Sequence, residues 1–222
     1  MYVRIYTADV DCLGDGELFS KAYRSAPSER REKVDRLRFA RDKRLSLGAG
    51  ALVKIALEKA GLEGCGVGYG ENGKPYVKGS NDLFISISHS GSAAMCALSD
   101  VPVGCDVEKK GNADLKIAKR FFSPEENEYI NSAEDSAGAI YKIWTRKESF
   151  LKATGLGFTV TANSFSTAGG AVRTELFPGE WSVFDIDTFD GYAAAFCVRG
   201  ETAPEVFEEK IFLDSYFADQ KR

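Results

Sequence analysis

Two stretches, Gly91-Ser-Ala-Ala-Met-Cys-Ala-Leu98 and Gly191-Tyr-Ala-Ala-Ala-Phe-Cys-Val198, repeat each other at a separation of 100 residues. A second pair, Leu57-Glu-Lys-Ala-Gly-Leu62 and Leu151-Lys-Ala-Thr-Gly-Leu156, does so at a separation of 94. Each half therefore reads as a helix, a glycine stop and a pair of strands. Chance likeness in Ala- and Gly-rich text is the alternative. If the repeat is structural, the chain is α+β. It is built from two similar, pseudo-twofold-related subdomains, each a small antiparallel sheet packed with a long helix, over residues 1–102 and 103–222. Ligand sites favour the junction of such halves.

Local patterns fill in the elements. Met1 to Tyr6 alternates as a strand does. Ser28-Glu29-Arg30-Arg31-Glu32 opens like a capped helix, and Arg41 to Lys59 continues helical with Leu45, Leu52, Ile55 and Ala56 in phase and Gly61 as the stop. Gly64 to Gly73 reads as a Gly-rich loop leading to Lys74-Pro75-Tyr76. Leu83–Ser88 and Ala93–Leu98 read as strands joined around Ser90-Gly91-Ser92, followed by an extended run from Val101 to Val107. Helices are predicted over Leu115–Phe121, from a Ser123 cap with Pro124 first, and over Ala139–Thr154, ended by Gly155. Trp181–Asp187 and Tyr192–Val198 are the late strands.

Two motifs fall at the predicted junction. In Gly104-Cys105-Asp106-Val107-Glu108 the carboxylates stand at i and i+2, which share one face of a strand. They end an apolar run, where a partly buried carboxylate needs a partner or a metal. In Trp144-Thr145-Arg146-Lys147-Glu148-Ser149-Phe150-Leu151-Lys152, residues 144, 148 and 152 lie along one helical stripe. If strand face and stripe meet, three carboxylates and an ammonium converge on a plausible site for a hard divalent cation holding a phosphate. Taken singly, each motif also fits a solvated strand end or a surface i,i+4 pair. His89, the sole histidine, ends a Ser-rich strand and is either incidental or part of a phosphate-binding turn. Ser28 to Arg44 holds eight basic and four acidic residues, a local excess of +4. That suits a solvated face, an anionic ligand or an acidic protein partner.

Composition excludes several classes. A formal charge of −4 argues against a general nucleic-acid binder. No stretch approaches the roughly 20 apolar residues of a membrane span, and Asp9, Asp11, Asp15 and Glu17 interrupt any signal-peptide core. The five cysteines (12, 65, 96, 105 and 197) form no CxxC pair, so neither a disulfide framework nor a zinc site is indicated and a reduced, cytoplasmic setting is expected.

Taken in order, Gly73-Lys74-Pro75, Ile87-Ser88-His89-Ser90-Gly91, Val103-Gly104-Cys105-Asp106-Val107-Glu108, Ala118-Lys119-Arg120-Phe121-Phe122-Ser123 with Glu126, and Trp144-x-x-Lys147-Glu148-Ser149-x-x-x-Lys152 resemble the 4′-phosphopantetheinyl transferases. The likeness is to the larger, two-subdomain type typified by the surfactin-synthetase activator. It runs from about Ser28 to Phe165. Cys105 departs from the family's usual aliphatic residue, and Arg30 stands where some members have lysine. The resemblance implies transfer of the phosphopantetheine arm of coenzyme A to a serine of apo acyl or peptidyl carrier proteins, with release of adenosine 3′,5′-bisphosphate. It implies Mg²⁺, with Mn²⁺ as the other candidate, on Asp106, Glu108 and Glu148. Glu148 is also the candidate base, and Lys152 would neutralise pyrophosphate charge. Arg30, Lys33, Arg44, Lys74, Pro75, Ser88 and His89 would hold the nucleotide end of coenzyme A. Residues 109–122 are a candidate carrier-docking surface, with both phenylalanines in the core as the alternative. A monomer with no nucleic-acid or membrane partner is expected. An inactive coenzyme A-binding module is the alternative function, and an unrelated Mg-dependent phosphohydrolase ranks last because no nucleophile motif is present.

Overall fold

The computed structural model describes residues 1–70, 72–113, 115–157, 160–172, 174 and 177–219. Glu71 in the Gly-rich loop and Asp114 in the candidate docking segment lie outside the described residues. In chain order the elements are β1 (Tyr2–Asp9), α1 (Gly16–Ser25), α2 (Ser28–Arg36), α3 (Ala40–Lys59), β2 (Val67–Tyr69), β3 (Pro75–Val77), β4 (Phe84–Ser90) and β5 (Ala93–Ser99). They continue as β6 (Val103–Lys109), α4 (Leu115–Phe121), α5 (Pro124–Ser132), α6 (Ser136–Thr154), β7 (Ala171–Val172), β8 (Trp181–Ile186), β9 (Tyr192–Arg199), β10 (Glu205–Lys210) and α7 (Leu213–Asp219).

The strands form two sheets, ordered β10-β1-β5-β4-β3-β2 and β6-β9-β8-β7. The run β1-β5-β4-β3 corresponds strand for strand to β6-β9-β8-β7, with every pairing antiparallel in both. The repeat is therefore structural, and the two α+β halves are related as the sequence implied. The faces set the structural match one residue off the sequence repeat, since Cys96 turns towards α3 as Ala195 turns towards α6. Tyr6 pairs with Cys96 and Ala8 with Ala94 in the first sheet, where Asp106 pairs with Ala195 and Glu108 with Ala193 in the second.

The central strands explain themselves by period two. All of β5 is buried, as a strand covered on both faces must be. Ala94, Cys96 and Leu98 join the core beneath α3, while Ala93, Met95 and Ala97 pack against the other sheet. In β9, Ala194, Phe196 and Val198 face the first sheet, and Ala195 and Cys197 face Phe150, Leu151 and Ala153 of α6. The two sheets are thus pressed face to face, each with its long helix outside.

The helix ends follow the sequence signals with one difference. Ser123 accepts from the Glu126 N–H at 3.3 Å while Glu126 accepts from the Ser123 N–H at 2.9 Å, with Pro124 first in α5. Asp135 caps α6, and Gly155 ends it at φ +76°, a conformation that favours glycine. α2, however, is capped by Pro27, whose carbonyl accepts from the N–H groups of Arg30 and Arg31, while Ser28 is already helical and bonds Glu29.

Three features lie beyond the local patterns. α1 precedes the basic segment. β2 and β3 make a short hairpin from the predicted loop. β10, all six residues exposed, adds to β1 in parallel, and Ile211, Leu213 and Phe217 after it join the first core. The C-terminal residues thus return to the N-terminal sheet. No described helix is long and apolar enough to cross a membrane, and all five cysteines are free thiols.

Candidate active site

β6 lies against β4 without joining its ladder, and alternate serines of β4 bridge the gap. Ser86 Oγ accepts from the Cys105 N–H at 3.0 Å. Ser88 Oγ donates to Asp106 Oδ1 at 2.7 Å, and Ser90 Oγ donates to Glu108 Oε2 at 2.6 Å while accepting from the Lys109 N–H. One face of β4 therefore orients the acidic face of β6. From α6, Lys152 Nζ donates to Asp106 Oδ1 at 2.6 Å and to Ser88 Oγ at 2.8 Å. Three elements from two halves thus meet at Asp106, which is 2% exposed.

These residues open into a cleft of about 420 Å³. Asp106, Glu108, Trp144, Glu148 and Lys152 line it from the second half, and Arg30, Lys33, Tyr69, Gly73, Pro75, Ser88 and His89 from the first. Arg30 is spread along its wall, donating to the Ser46 carbonyl at 3.4 Å and the Tyr69 hydroxyl at 3.3 Å. It passes over Gly50, where a Cβ would stand 3.2 Å from the Arg30 Nε.

The electrostatics follow from burial and like charge. Desolvation, then the Asp106 carboxylate, raises the Glu148 carboxyl pKa, and Glu108 adds to it. Glu108 is raised by desolvation and by Asp106, against the pull of its Ser90 hydrogen bond. Burial works against the Lys152 ammonium, but Asp106 and the surrounding anionic groups outweigh it and its pKa rises. Desolvation in the cleft, with Lys152, Lys33 and Arg30 nearby, pushes His89 down, so its imidazole is neutral at pH 7.

Two of the residues expected at the nucleotide end stand elsewhere. Arg44 turns towards the turn Asp11–Gly14, with its guanidinium 3.9 Å from Asp11. Lys74 sends its ammonium to the Ala153 carbonyl at the end of α6. Lys147, inside the helical motif, points away from the cleft. It pairs with Glu126 at 2.7 Å in a fully buried site, donates to the Phe165 carbonyl at 2.8 Å and lies 4.1 Å from the Phe165 ring centroid. Of the docking candidates, Phe121 is exposed and stacks with Arg120, whereas Phe122 is buried beside Trp144. Sequence reasoning missed Ser90, which orients Glu108, and Tyr69, which lines the wall. Ser86, Ser88 and Ser90 share one strand face, and that alternation was the available signal; Tyr69 had none.

The oxygen donors fit a hard cation. Asp106 Oδ2 is buried without a hydrogen-bond partner, and both neighbouring carboxyls respond to Asp106. Among the described residues no three carboxylate, His or Cys side chains are already closed into a ligand cage. Mg²⁺ suits so open a set, because it retains waters and takes phosphate oxygens alongside one or two carboxylates.

A duplicated α+β fold with an acidic strand, a basic wall and one bridging ammonium defines a phosphate-handling cleft between halves. The 4′-phosphopantetheinyl transferase superfamily model matches residues 102–197. A 4′-phosphopantetheinyl transferase of Bacillus subtilis is 36% identical over 196 residues, covering 83% of this chain and 87% of the relative. The transferase Sfp of Bacillus subtilis strain 168 is 33% identical over 80% of this chain and 84% of its own length. The transferase gsp of Aneurinibacillus migulanus is 33% identical over 67% of this chain and 68% of its own. The chain belongs to the 4′-phosphopantetheinyl transferases, and within them it is an enzyme of the Sfp-like kind.

Proposed function

We propose that the cleft moves the 4′-phosphopantetheine arm of coenzyme A onto a serine of apo acyl or peptidyl carrier proteins, with Mg²⁺ bound by Asp106, Glu108 and Glu148. The observation that carries this is the junction of Lys152, Asp106 and Ser88, with Glu108, Glu148 and the Arg30–Lys33 wall in the same cleft. The serine Oγ attacks the phosphorus bearing the pantetheine arm, and that phosphorus loses its bridging oxygen to the nucleotide side. Adenosine 3′,5′-bisphosphate leaves with the electron pair. The serine proton passes to Glu148, whose raised pKa makes it a better acceptor than an ordinary carboxylate. Lys152, held by Asp106 and Ser88, neutralises charge gathering on the departing oxygen. When bound, the metal supplies Lewis-acid polarisation of the pyrophosphate. Arg30, Lys33, Pro75, Ser88 and His89 would hold the nucleotide end, and Arg120–Phe121 would belong to the docking surface. Because one chain supplies both walls, a monomer completes the site.

Purified protein with coenzyme A and Mg²⁺ is expected to raise the mass of an apo carrier by one phosphopantetheine group. Tight coenzyme A binding with no mass change across fatty-acid, polyketide and nonribosomal carriers would instead assign a binding module.

Glu148→Gln is expected to abolish transfer and yet raise thermal stability at pH 7.5. The folded carboxyl pKa lies above its unfolded value, so the group favours folding below the unfolded pKa and loses that contribution as pH rises through the folded one. Glutamine carries no such penalty. Each 1 kcal/mol of relief would add about 2–4 °C to Tm, and the gain should vanish towards pH 4. A variant less stable than wild type at pH 8 would contradict the desolvated, repelled Glu148 described above.

A further inference from the structure

The first-half loop between β2 and β3 lines the cleft through Gly73 and Pro75, but its lysine does something else. Lys74 crosses to the second half, where its ammonium donates to the Ala153 carbonyl and its stem covers Gly155. A Cβ at Gly155 would stand 2.9 Å from the Lys74 Cδ. Two residues earlier, Asn72 Nδ2 donates to the Gly155 carbonyl at 3.0 Å. The last carbonyls of a helix have no partner within it, and a cation there also meets the negative end of the helix dipole. Ala153 follows Lys152 directly, and its backbone on the other side abuts Gly104 of β6. The last turn of α6 is therefore gripped from both sides at the residue next to the site ammonium. Burial draws Lys74 down to about 8, and it still carries its charge at neutral pH.

We propose that Lys74, assisted by Asn72, is a positioning residue: a latch from the first half that fixes the end of α6 and so places Lys152 over Asp106. This deepens the transferase reading and, for its kinetic arm, rests on it. The competing assignment for Lys74 is direct contact with a coenzyme A phosphate. The two differ in what the substrate's 3′-phosphate does.

The test compares coenzyme A with 3′-dephospho-coenzyme A as donors for wild type, Lys74→Met and Asn72→Ala. The latch predicts that Lys74→Met lowers kcat about 10–100-fold for both donors alike, as expected for a displaced catalytic group, with KM within twofold of wild type. Asn72→Ala should show a smaller loss of the same kind. Hydrogen exchange should quicken at the amides of residues 151–155 in both variants. A rise in KM confined to coenzyme A would overturn the latch in favour of a phosphate contact. Unchanged kcat with unchanged exchange would overturn it outright. If wild type transfers nothing, the transferase reading fails, while the exchange measurement still decides the latch.

Discussion

Gly104→Ala is expected to lower Tm by about 6–12 °C, on the scale of roughly 3 kcal/mol for a methyl forced into packed neighbours. A Cβ on Gly104 would collide with the Ser149 carbonyl oxygen and the Ala153 nitrogen, and would stand 2.9 Å from the Ala153 Cα. All three are backbone atoms of α6, so no side chain can swing aside and the helix itself must back away. In the duplicated half the helix-side position is Arg4, paired with Leu98 as Gly104 is paired with Cys197. α3 has no such glycine beneath it on β1. The close approach of α6 is what lets Lys152 reach Asp106, so the same substitution should lower kcat about 100-fold, the scale of a 1 Å misplacement. Calorimetry and steady-state kinetics check both halves of the prediction. An alanine variant that keeps both Tm and kcat would show that strand and helix are not in backbone contact.

Much of this was legible in the sequence because the signals were local. The carboxylates of β6 had to share a face once the segment was a strand, and Trp144, Glu148 and Lys152 had to share a stripe once theirs was a helix. The glycine stops at Gly61 and Gly155 and the Ser123 cap are likewise chemistry of neighbouring residues. What stayed illegible depended on distant partners. Four of the six residues of Glu205–Lys210 are charged and only Val206 and Phe207 favour a strand, so β10 forms because β1 offers it a free edge. Lys147 and Lys152 look alike as members of a basic motif. Their roles separate only because one meets Glu126 in the second core and the other meets Asp106. Arg44 and Lys74 were placed by a family pattern, but long side chains choose among several partners, and here they reach Asp11 and the end of α6.

The duplication also explains why the described cleft has no twin. On the helix side of β1 the positions of Asp106 and Glu108 are held by Tyr6 and Ala8. At the helical separation of 94, Glu148 and Lys152 correspond to Lys54 and Glu58. Their charges are exchanged, and they pair with each other at 3.7 Å as a surface i,i+4 bridge. A strand face with no carboxylate and an internally paired helix cannot assemble the convergence found in the second half. β10 moreover runs along β1, where the acidic strand of the second half instead faces serines. The fold was doubled and the chemistry was kept once.

Asp106→Asn and Lys152→Ala are expected to reduce transfer by a similar amount, about 10³-fold, yet to differ in how their stability depends on pH. Asp106 is buried, and Lys152 is 32% exposed in its side chain, so the pair is worth less than a fully interior one, about 1–3 kcal/mol on removal of one partner. Asparagine retains the Ser88 hydrogen bond and removes the charge that raises Glu148 and Glu108. Part of its loss is therefore offset, and its stability deficit should change little between pH 6 and 8. Lys152→Ala does the reverse. It deletes the cation that lowers both glutamates and leaves three carboxylates facing one another. Their folded pKa values rise further above the unfolded ones, so folding is favoured in acid and penalised as pH climbs through the folded pKa. The Tm deficit of Lys152→Ala should thus widen from pH 5 to pH 8. Added Mg²⁺ should narrow that deficit without restoring turnover, because a divalent cation can replace the missing charge but not the ammonium aimed at the leaving oxygen. Parallel Tm-against-pH curves for Lys152→Ala and wild type would mean that the three carboxylates do not share one electrostatic site.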